Sequence, residues 1–425
     1  MEKTLTLNGL TWRRVGSFLS GIGMMSASLM TIRHFFLANY PTSIYEGAFC
    51  DISAFFNCDS SAFSSIAAVA GVPIGTFGLI VGGLVALGAV FPTPKFERTN
   101  KSISLANALG VLALAGYSVF FLKSLCLLCS GFYVFSLLSF FLFWRYGIDH
   151  DQRGLFRTFV RPSFKMLFSF GVITLFIAYG VRLFHDVKKD AQSGTALRIV
   201  KQFYELPKVQ SPSFLSPFWT ARSTDQFEEA AIRVIEYADF LCPDCLYLFQ
   251  QLDRLKSEFA GKINIAFQVF PLEAKCNSVV EKDLHPGACD ISLLAIHNPA
   301  KFPQIHDEIF NNFQDARKPE WRRELAERYG VEAALTDEKT KETLQRIINT
   351  GAEYEKTSDR YSHGIRSTPT MIINNRMVIG TLPYEHLRAI FEALVQESEG
   401  GPKKFIENWV ETPKKAARKA KPAGK

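Results

Sequence analysis

Residues 124–145 read SLCLLCSGFYVFSLLSFFLFWR, which places Cys126 and Cys129 at the head of a long apolar run. The run from Leu127 to Phe143 contains no charged residue and is close to the length that an α-helix needs to cross a bilayer. The C-x-x-C spacing puts Cys129 nearly one helical turn deeper than Cys126. Because a helix N-terminus stabilises a thiolate, the stretch predicts a redox-active dithiol at the membrane surface.

Apolar residues make up 48% of the 425-residue chain, and they are concentrated in its first half. Four further apolar runs cover about residues 15–32, 73–91, 104–122 and 166–183, so we predict five transmembrane helices. The first run can alternatively be interpreted as a signal peptide, with Arg13 and Arg14 as its basic region. The second half has the pattern of an ordinary globular domain, which predicts an α-helical membrane protein followed by an α/β domain.

Basic residues near the predicted spans lie mainly on one side of the membrane. They form three groups, before the first span, between the second and third spans, and between the fourth and fifth spans: Lys3, Arg13, Arg14; Lys95, Arg98, Lys101; Arg145, Arg153, Arg157, Arg161, Lys165. Residues 36–72 contain no lysine or arginine, and the turn after the third span has only Lys123. The positive-inside rule therefore predicts a cytoplasmic N-terminus and an extracytoplasmic second half. The net charge of +7 is explained by this distribution, so we predict no nucleic-acid partner.

All eight cysteines fall into four close pairs, which is typical of an oxidising compartment. In the second half, the β-rich run AAIRVIEYADF (230–240) is followed by Cys242-Pro243-Asp244-Cys245 and then by a helical pattern to about residue 259. A second strand is predicted at 262–270 and a helix-rich stretch at 291–356. Asn374-Asn375 between two β-rich runs predicts a hairpin. A C-x-x-C between a strand and a helix indicates a thioredoxin-like redox motif.

The membrane half resembles the vitamin K epoxide reductase family over roughly residues 10–145. The resemblance rests on Cys50 and Cys58, a serine six residues later (Ser64), and the Cys126/Cys129 pair followed by Tyr133. It implies a four-helix bundle around a quinone, with Cys129 touching the quinone and Cys50 and Cys58 passing electrons to Cys126 and Cys129. Ser64 and Tyr133 would line the quinone pocket. From the residues alone, Cys50–Cys58 can instead be a structural staple, Ser64 a helix cap with Ser65 as its alternative, and Tyr133 a packing residue.

The second half resembles the DsbA-like branch of the thioredoxin superfamily over roughly residues 226–398. The resemblance rests on the C-x-x-C, the helices inserted after the second strand, and Thr368-Pro369, which implies a cis-proline beside the active site. Cys242, at the helix N-terminus, is predicted to be the more exposed thiol with the lower pKa, and Cys245 its resolving partner. A zinc site made from the two C-x-x-C units is the less favoured interpretation, so no metal is predicted.

The pair Cys276 and Cys289 lies in a polar loop and is predicted to form a structural disulfide. His285 and His363 are interpreted as loop or surface histidines. Residues from about 186 to 228 have the composition of a connector, and KKAARKAKPAGK at the end predicts a disordered basic tail. The predicted parts are a four-helix bundle at 1–148, a cytoplasmic loop, fifth span and connector at 149–228, a thioredoxin-fold domain at 229–400, and the tail at 401–425.

These observations predict a quinone-dependent protein dithiol oxidoreductase of the cell inner membrane, with its thioredoxin-fold domain in the periplasm. Reduced unfolded exported proteins would donate electrons to the Cys242–Cys245 disulfide. The electrons would then pass through Cys50–Cys58 to Cys126–Cys129 and on to a membrane quinone such as ubiquinone or menaquinone. The alternative is a quinone-coupled disulfide reductase or isomerase that runs in the opposite direction, because direction depends on reduction potentials.

Overall fold

The computed structural model of the chain describes residues 7–40, 44, 58–122, 124–146, 162–190, 192–281, 283–356 and 364–400. Cys50, Lys123, His363 and the tail after residue 400 lie outside the described residues. The described chain divides into two compact units, residues 1–40 with 50–190 and residues 41–49 with 191–425. Each unit is described by itself below.

The first unit is helical. Its described residues form six helices and a two-stranded antiparallel hairpin: α1 (Leu7–Asn39), α2 (Asp59–Ala62), β1 (Ala68–Val69), β2 (Val72–Pro73), α3 (Gly75–Val90), α4 (Pro94–Tyr117), α5 (Leu127–Tyr146) and α6 (Phe164–Asp190). A π-helical turn, Ser118–Leu122, follows α4.

Helices occupy all five predicted spans. Within the described residues, four helical stretches are long and apolar enough to cross a membrane: Trp12–Asn39, Pro94–Leu122, Leu127–Trp144 and Phe164–Val187. Helix α3, at the second predicted span, has 16 residues and therefore rises only about 24 Å. The second span is thus shorter than predicted, because the β1–β2 hairpin occupies the residues just before it.

Helices α1 and α3 approach each other closely through small residues. A methyl group placed on Gly82 would lie 2.9 Å from the carbonyl oxygen of Gly21, and one placed on Gly75 would lie 3.0 Å from Ile32. Such contacts leave no room for a side chain at either glycine. They show that α3 runs antiparallel along α1, as expected for membrane helices that pack through small residues.

Basic residues of α1 join the ends of two other helices. The Arg13 guanidinium forms a buried two-pronged ion pair with Glu97 of α4, with Nη1–Oε1 at 2.6 Å and Nη2–Oε2 at 3.1 Å. Arg14 donates to the carbonyl oxygens of Ala89 and Val90 at the last turn of α3. A cation at a helix C-terminus is favourable, so these two arginines fix this end of the bundle.

The second unit contains a five-stranded mixed sheet with strand order β3-β5-β4-β6-β7. The strands are β3 (Trp219–Ala221), β4 (Ile232–Ala238), β5 (Ile263–Val269), β6 (Thr370–Ile373) and β7 (Arg376–Ile379). Strands β4 and β5 are parallel, and the other neighbouring pairs are antiparallel. Its helices are α7 (Gln192–Glu205), α8 (Pro243–Glu258), α9 (Ala288–Ile296), α10 (Phe302–Asn311), α11 (Phe313–Ala316), α12 (Pro319–Tyr329), α13 (Glu338–Ala352) and α14 (Tyr384–Ser398).

Two apolar clusters cover the two faces of this sheet. One contains Phe267 with side chains of α9–α13, and the other contains Ile265 with side chains of α7, α8 and α14. The predicted Asn374-Asn375 hairpin is confirmed: both asparagines have positive φ, at 41° and 65°, between paired Ile373 and Arg376. This turn geometry suits the twist of the β6–β7 hairpin.

The segment predicted as a connector contains regular structure. Helix α7 buries Ile199, Val200 and Phe203 in the core, and β3 adds an edge strand to the sheet. The connector prediction was therefore wrong for these residues. Serine and proline around residues 211–217 obscured a helix whose apolar residues are spaced for one buried face.

Candidate functional site

The first dithiol lies where α5 begins. Cys126 directly precedes the helix and Cys129 is in its first turn, with the two sulfurs 2.6 Å apart as free thiols. The backbone N–H of Cys129 donates to the Cys126 sulfur at 3.2 Å. This is the arrangement that the C-x-x-C spacing predicts, with the helix N-terminus directed at the first sulfur.

Cys58 lies beside this dithiol. Its side chain has no exposed surface and forms one small buried cluster with Cys126, against which Cys129 and Leu128 pack. Cys58 is disulfide-bonded, whereas Cys126 and Cys129 are free. The fold therefore brings together sulfurs that are separated by 68 residues in sequence.

An apolar pocket opens on these sulfurs. Its wall includes Cys58, Cys126, Cys129, Tyr133 and Ser64. A second pocket, between α1, α3, α4 and α5, is also lined by Cys129 and Tyr133. Cys129 and Tyr133 thus belong to both pockets. Apolar walls with a few polar groups suit a flat, lipid-soluble ligand.

The two predicted pocket residues differ in their surroundings. The Ser64 hydroxyl donates to the Ser61 carbonyl oxygen at 2.8 Å, which closes the turn after α2, and Ser64 also lines the pocket. Its alternative, Ser65, is exposed and does not line the pocket. Tyr133, one helical turn beyond Cys129, is half-buried on the pocket wall.

The second dithiol lies at the end of β4. Cys242 is the N-cap of α8, Pro243 starts the helix, and Cys245 is buried in its first turn. The Cys242 thiol donates to the carbonyl oxygen of Thr368 at 3.4 Å, and the Thr368–Pro369 peptide bond is cis. The structure therefore places the distant Thr-Pro pair against the C-x-x-C, as the resemblance implied.

The two cysteines of this motif differ in acidity. Burial raises the pKa of Cys242, but the hydrogen bond with Cys245 and the nearby His285 outweigh burial and bring the pKa down to about 7. Burial and the Cys242 charge raise the pKa of Cys245 well above its ordinary value. The predicted assignment of Cys242 as the lower-pKa thiol agrees with this difference, although at 4% exposure Cys242 is more buried than predicted.

His285 is not the loop or surface histidine that the sequence indicated. It is 5% exposed, and its Nδ1 donates to Asp239 Oδ2 at 2.7 Å. Burial lowers the pKa of His285, but the Asp239 charge, the hydrogen bond to Asp239 and the Cys242 charge together outweigh burial and raise the pKa above its usual value. This pair could not be predicted from local sequence because 46 residues separate its members.

Glu236 is a second residue that sequence reasoning missed. It lies on the central strand β4, six residues before Cys242, and is 2% exposed. Within the described part of the chain, its Oε1 has no hydrogen-bond partner. Burial raises the pKa of Glu236 to about 8, against a smaller opposing effect of the Lys256 ammonium. The signal was an acidic residue within the apolar run VIEYA.

Cys276 and Cys289 are joined by a disulfide bond, with sulfurs 2.04 Å apart. The bond closes residues 276–289, called the disulfide loop below, and its Cys289 end begins helix α9. Among the residues that the structure describes, no group of three or more histidine, cysteine or acidic side chains is placed to hold a metal ion.

Two family profiles match the chain. The vitamin K epoxide reductase family matches residues 15–144, and the thioredoxin family matches residues 227–393. No curated protein matches the chain. The two matched ranges contain the two dithiols, and they leave residues 145–226 between them.

Similar solved structures are thioredoxin-like proteins. A periplasmic thioredoxin-like protein from Salmonella enterica serovar Typhimurium is 16% identical, with a TM-score of 0.32, over 43% of this chain and 92% of that chain. The catalytic domain of Proteus mirabilis ScsC is 14% identical, with a TM-score of 0.30, over 48% and 96%. The thiol-disulfide exchange protein alpha-DsbA2 from Wolbachia pipientis is 14% identical, with a TM-score of 0.30, over 48% and 98%.

The two matched families and the apolar helices together indicate a membrane thiol–disulfide oxidoreductase. The chain carries a domain of the vitamin K epoxide reductase family at residues 15–144, followed by a thioredoxin-like domain at residues 227–393.

Proposed function

We propose that this oxidoreductase takes two electrons from reduced exported proteins and delivers them to a membrane quinone. The observation that carries the proposal is the contact between Cys58 and Cys126 beside an apolar pocket that Cys129 lines. A dithiol that faces such a pocket from within a membrane domain can meet an electron acceptor dissolved in lipid. Ser64 and Tyr133 are among the polar residues of the pocket wall, together with Thr31, His34, Ser61 and Ser118.

The first exchange takes place at the thioredoxin-like domain. A substrate thiolate attacks the Cys242 sulfur of the oxidised pair, the Cys242–Cys245 bond breaks, and Cys245 leaves with the bonding electrons. A second substrate thiolate then attacks the mixed disulfide, and Cys242 leaves as a thiolate. A thiol of lower pKa is the better leaving group, which fits Cys242 with its pKa of about 7.

The electrons next pass to the membrane domain. Cys242 attacks the Cys50–Cys58 disulfide at Cys50 and frees Cys58, and Cys245 then closes on Cys242. The reduced Cys58 attacks a Cys126–Cys129 disulfide at Cys126 and frees Cys129, and Cys50 resolves the product. Finally, Cys126 and Cys129 form a disulfide again and give two electrons and two protons to the quinone.

The class of substrate within reach follows from the proposed orientation. Basic residues adjoin the spans on the side that carries the N-terminus, and the described residues include five apolar helices when α3 is counted. Under the positive-inside rule, we infer that the chain lies in the inner membrane and that its thioredoxin-like domain is periplasmic. Exported proteins would then be the substrates within reach.

The test reconstitutes the full chain in lipid with a reduced unfolded protein and a short-chain quinone. We expect one quinol per disulfide formed. Cys129→Ala should abolish quinol formation, whereas the control Ser139→Ala, on the same helix but away from the pocket, should not. Appreciable quinone reduction by Cys129→Ala would refute the assignment of the terminal thiol. Faster reduction of disulfides by quinol than the forward reaction would instead support the reductase direction.

The order of transfer can be read from trapped intermediates. Because Cys245 resolves the mixed disulfide, Cys245→Ser should accumulate Cys242 linked to Cys50. Cleavage between the two domains and mass spectrometry of the linked peptides identify the partner. A product that joins Cys242 directly to Cys126 would show that Cys50–Cys58 is a structural disulfide rather than a step in the relay.

A further inference from the structure

The disulfide loop carries His285 into contact with Asp239, which lies three residues before the first cysteine of the C-x-x-C motif. His285 Nδ1 donates to Asp239 Oδ2, and the same carboxylate accepts from the backbone N–H groups of Leu241 and Leu272, each at 2.7 Å. Asp239 has no exposed surface. Three donors on one buried carboxylate fix its position, so the imidazole of His285 is held in one orientation.

The contacts that close the disulfide loop and those that place His285 come from the same short segment. Leu272 presents its carbonyl oxygen to the His285 N–H at 3.1 Å. Its neighbour Glu273 accepts from the Cys289 N–H through Oε2 at 2.7 Å and from the Cys276 N–H through its carbonyl oxygen at 3.3 Å. Opening the disulfide therefore loosens the loop at the point where His285 is held.

Four charged or titratable groups act on Cys242 among the described residues. Asp239 comes from the connection between β4 and α8, and Cys245 comes from α8. His285 comes from the disulfide loop, and Arg317 from the end of α11. Asp239 opposes the thiolate, whereas His285 favours it. The charge of Asp239 therefore needs a positive neighbour if Cys242 is to react as an anion.

We propose that His285 is a positioning residue for Cys242: held on Asp239 by the disulfide loop, it balances the Asp239 charge and keeps the Cys242 thiolate stable. The role rests on the proposed function, in which Cys242 leaves as a thiolate. It assigns the Cys276–Cys289 disulfide a part in setting the reactivity of the C-x-x-C motif, beyond its contribution to stability. His285 acts through its charge and through its bond to Asp239, and no bond to His285 forms or breaks in the exchange.

The test measures Cys242 in the full reduced chain in detergent, without quinone. The rate of Cys242 alkylation is followed from pH 5 to 9 by peptide mass spectrometry. In His285→Asn, the amide can still donate to Asp239 but carries no charge, so the fold is kept and the thiolate loses its positive neighbour. We expect the profile to move to higher pH and the rate at pH 6 to fall about tenfold, as for a shift of one unit. Equilibration with glutathione at pH 9, above both pKa values, should show a ratio of reduced to oxidised Cys242–Cys245 that is about tenfold smaller, or about 30 mV.

Two further variants separate the effect of the His285 charge from a general loosening of the thioredoxin-like domain. The control His297→Asn removes a histidine that bonds Thr340 in the helical layer, and it should leave the Cys242 profile unchanged. Cys276→Ser with Cys289→Ser should move the profile in the same direction as His285→Asn. The same pair of changes should add no shift when His285 is already Asn.

Three results would overturn the proposal. They are an unchanged profile in His285→Asn, an unchanged profile after opening the disulfide, or equal shifts from opening the disulfide with and without His285. The alkylation profile contains no quinone step. Failure of wild-type quinone reduction would therefore count against the proposed function alone, and not against the role of His285.

Discussion

The buried carboxyl of Glu236 should make the free energy of unfolding of the thioredoxin-like domain depend on pH. Its pKa in the folded chain is about 8, against an ordinary value of 4.5, because burial disfavours the charged form. A group whose pKa is higher in the folded than in the unfolded chain stabilises the fold at pH values below its unfolded-state pKa. That stability is lost as the pH rises through the folded-state pKa. The free energy of unfolding should therefore fall as pH rises from about 4.5 to 8. The loss should reach ~3 kcal/mol at pH 7, since each pKa unit corresponds to about 1.4 kcal/mol.

Replacing Glu236 with Gln removes the ionisable group while keeping its size, so Glu236→Gln should stabilise the thioredoxin-like domain at pH 7. Hydrogen exchange of the β4 amides in the full chain, followed by mass spectrometry, measures local stability without separating the domains. About 3 kcal/mol corresponds to slower exchange by a factor on the order of 100. The difference between Glu236→Gln and the wild type should shrink as pH falls towards 4.5.

Glu273→Gln provides the matched control. Glu273 is also a buried carboxyl, but its Oε2 accepts a hydrogen bond from the Cys289 N–H, so its replacement should lower protection. Equal protection of Glu236→Gln and wild type at pH 7, or a difference that does not vary with pH, would refute the reasoning. Glu236 would then have a normal pKa or be neutralised by a closer partner than Lys256.

Three other predictions concern the membrane domain and the disulfide loop. An alkaline-phosphatase reporter fused after about residue 400 should be active and one near residue 150 inactive; the reverse pattern would overturn the proposed orientation. Cys276→Ser with Cys289→Ser should lower the unfolding free energy by about 3 kcal/mol in a thermal melt, with quinone reduction still measurable. Glu97→Gln should cost about 3–5 kcal/mol in detergent because it leaves the buried Arg13 cation uncompensated, and replacing both residues with Met should recover much of that loss.

Local patterns were sufficient to predict much of the fold. The apolar runs fixed the five helices of the first unit, and the Asn374-Asn375 pair fixed the β6–β7 turn. Each C-x-x-C was predicted at a helix start, and both lie there. These features depend on residues within one or two turns of each other, so their physical causes are visible in the sequence itself.

Features that depend on distant residues were not predictable in the same way. The three residues of β3 are too few to show a strand pattern, and they are ordered by pairing with β5. His285 lies in a polar stretch that resembles a surface loop, and it is buried only because Asp239 is folded against it. The sequence likewise shows Gly21 and Gly82 but not that their helices meet there. In each case the structure at a residue is determined by a contact with a residue that is distant in the sequence.

The burial of Cys58 and Cys126 affects which molecules can react with their sulfurs. Cys58 has no exposed surface and Cys126 only 3%. Over-oxidation of a thiolate to sulfinic or sulfonic acid needs peroxide at the sulfur, and glutathione needs the same access to form a mixed disulfide. In the proposed relay, sulfurs buried in this way would exchange with each other while soluble oxidants and thiols stay outside. In the proposed relay, burial of these cysteines would therefore restrict thiol–disulfide exchange to the next cysteine in the sequence of transfers.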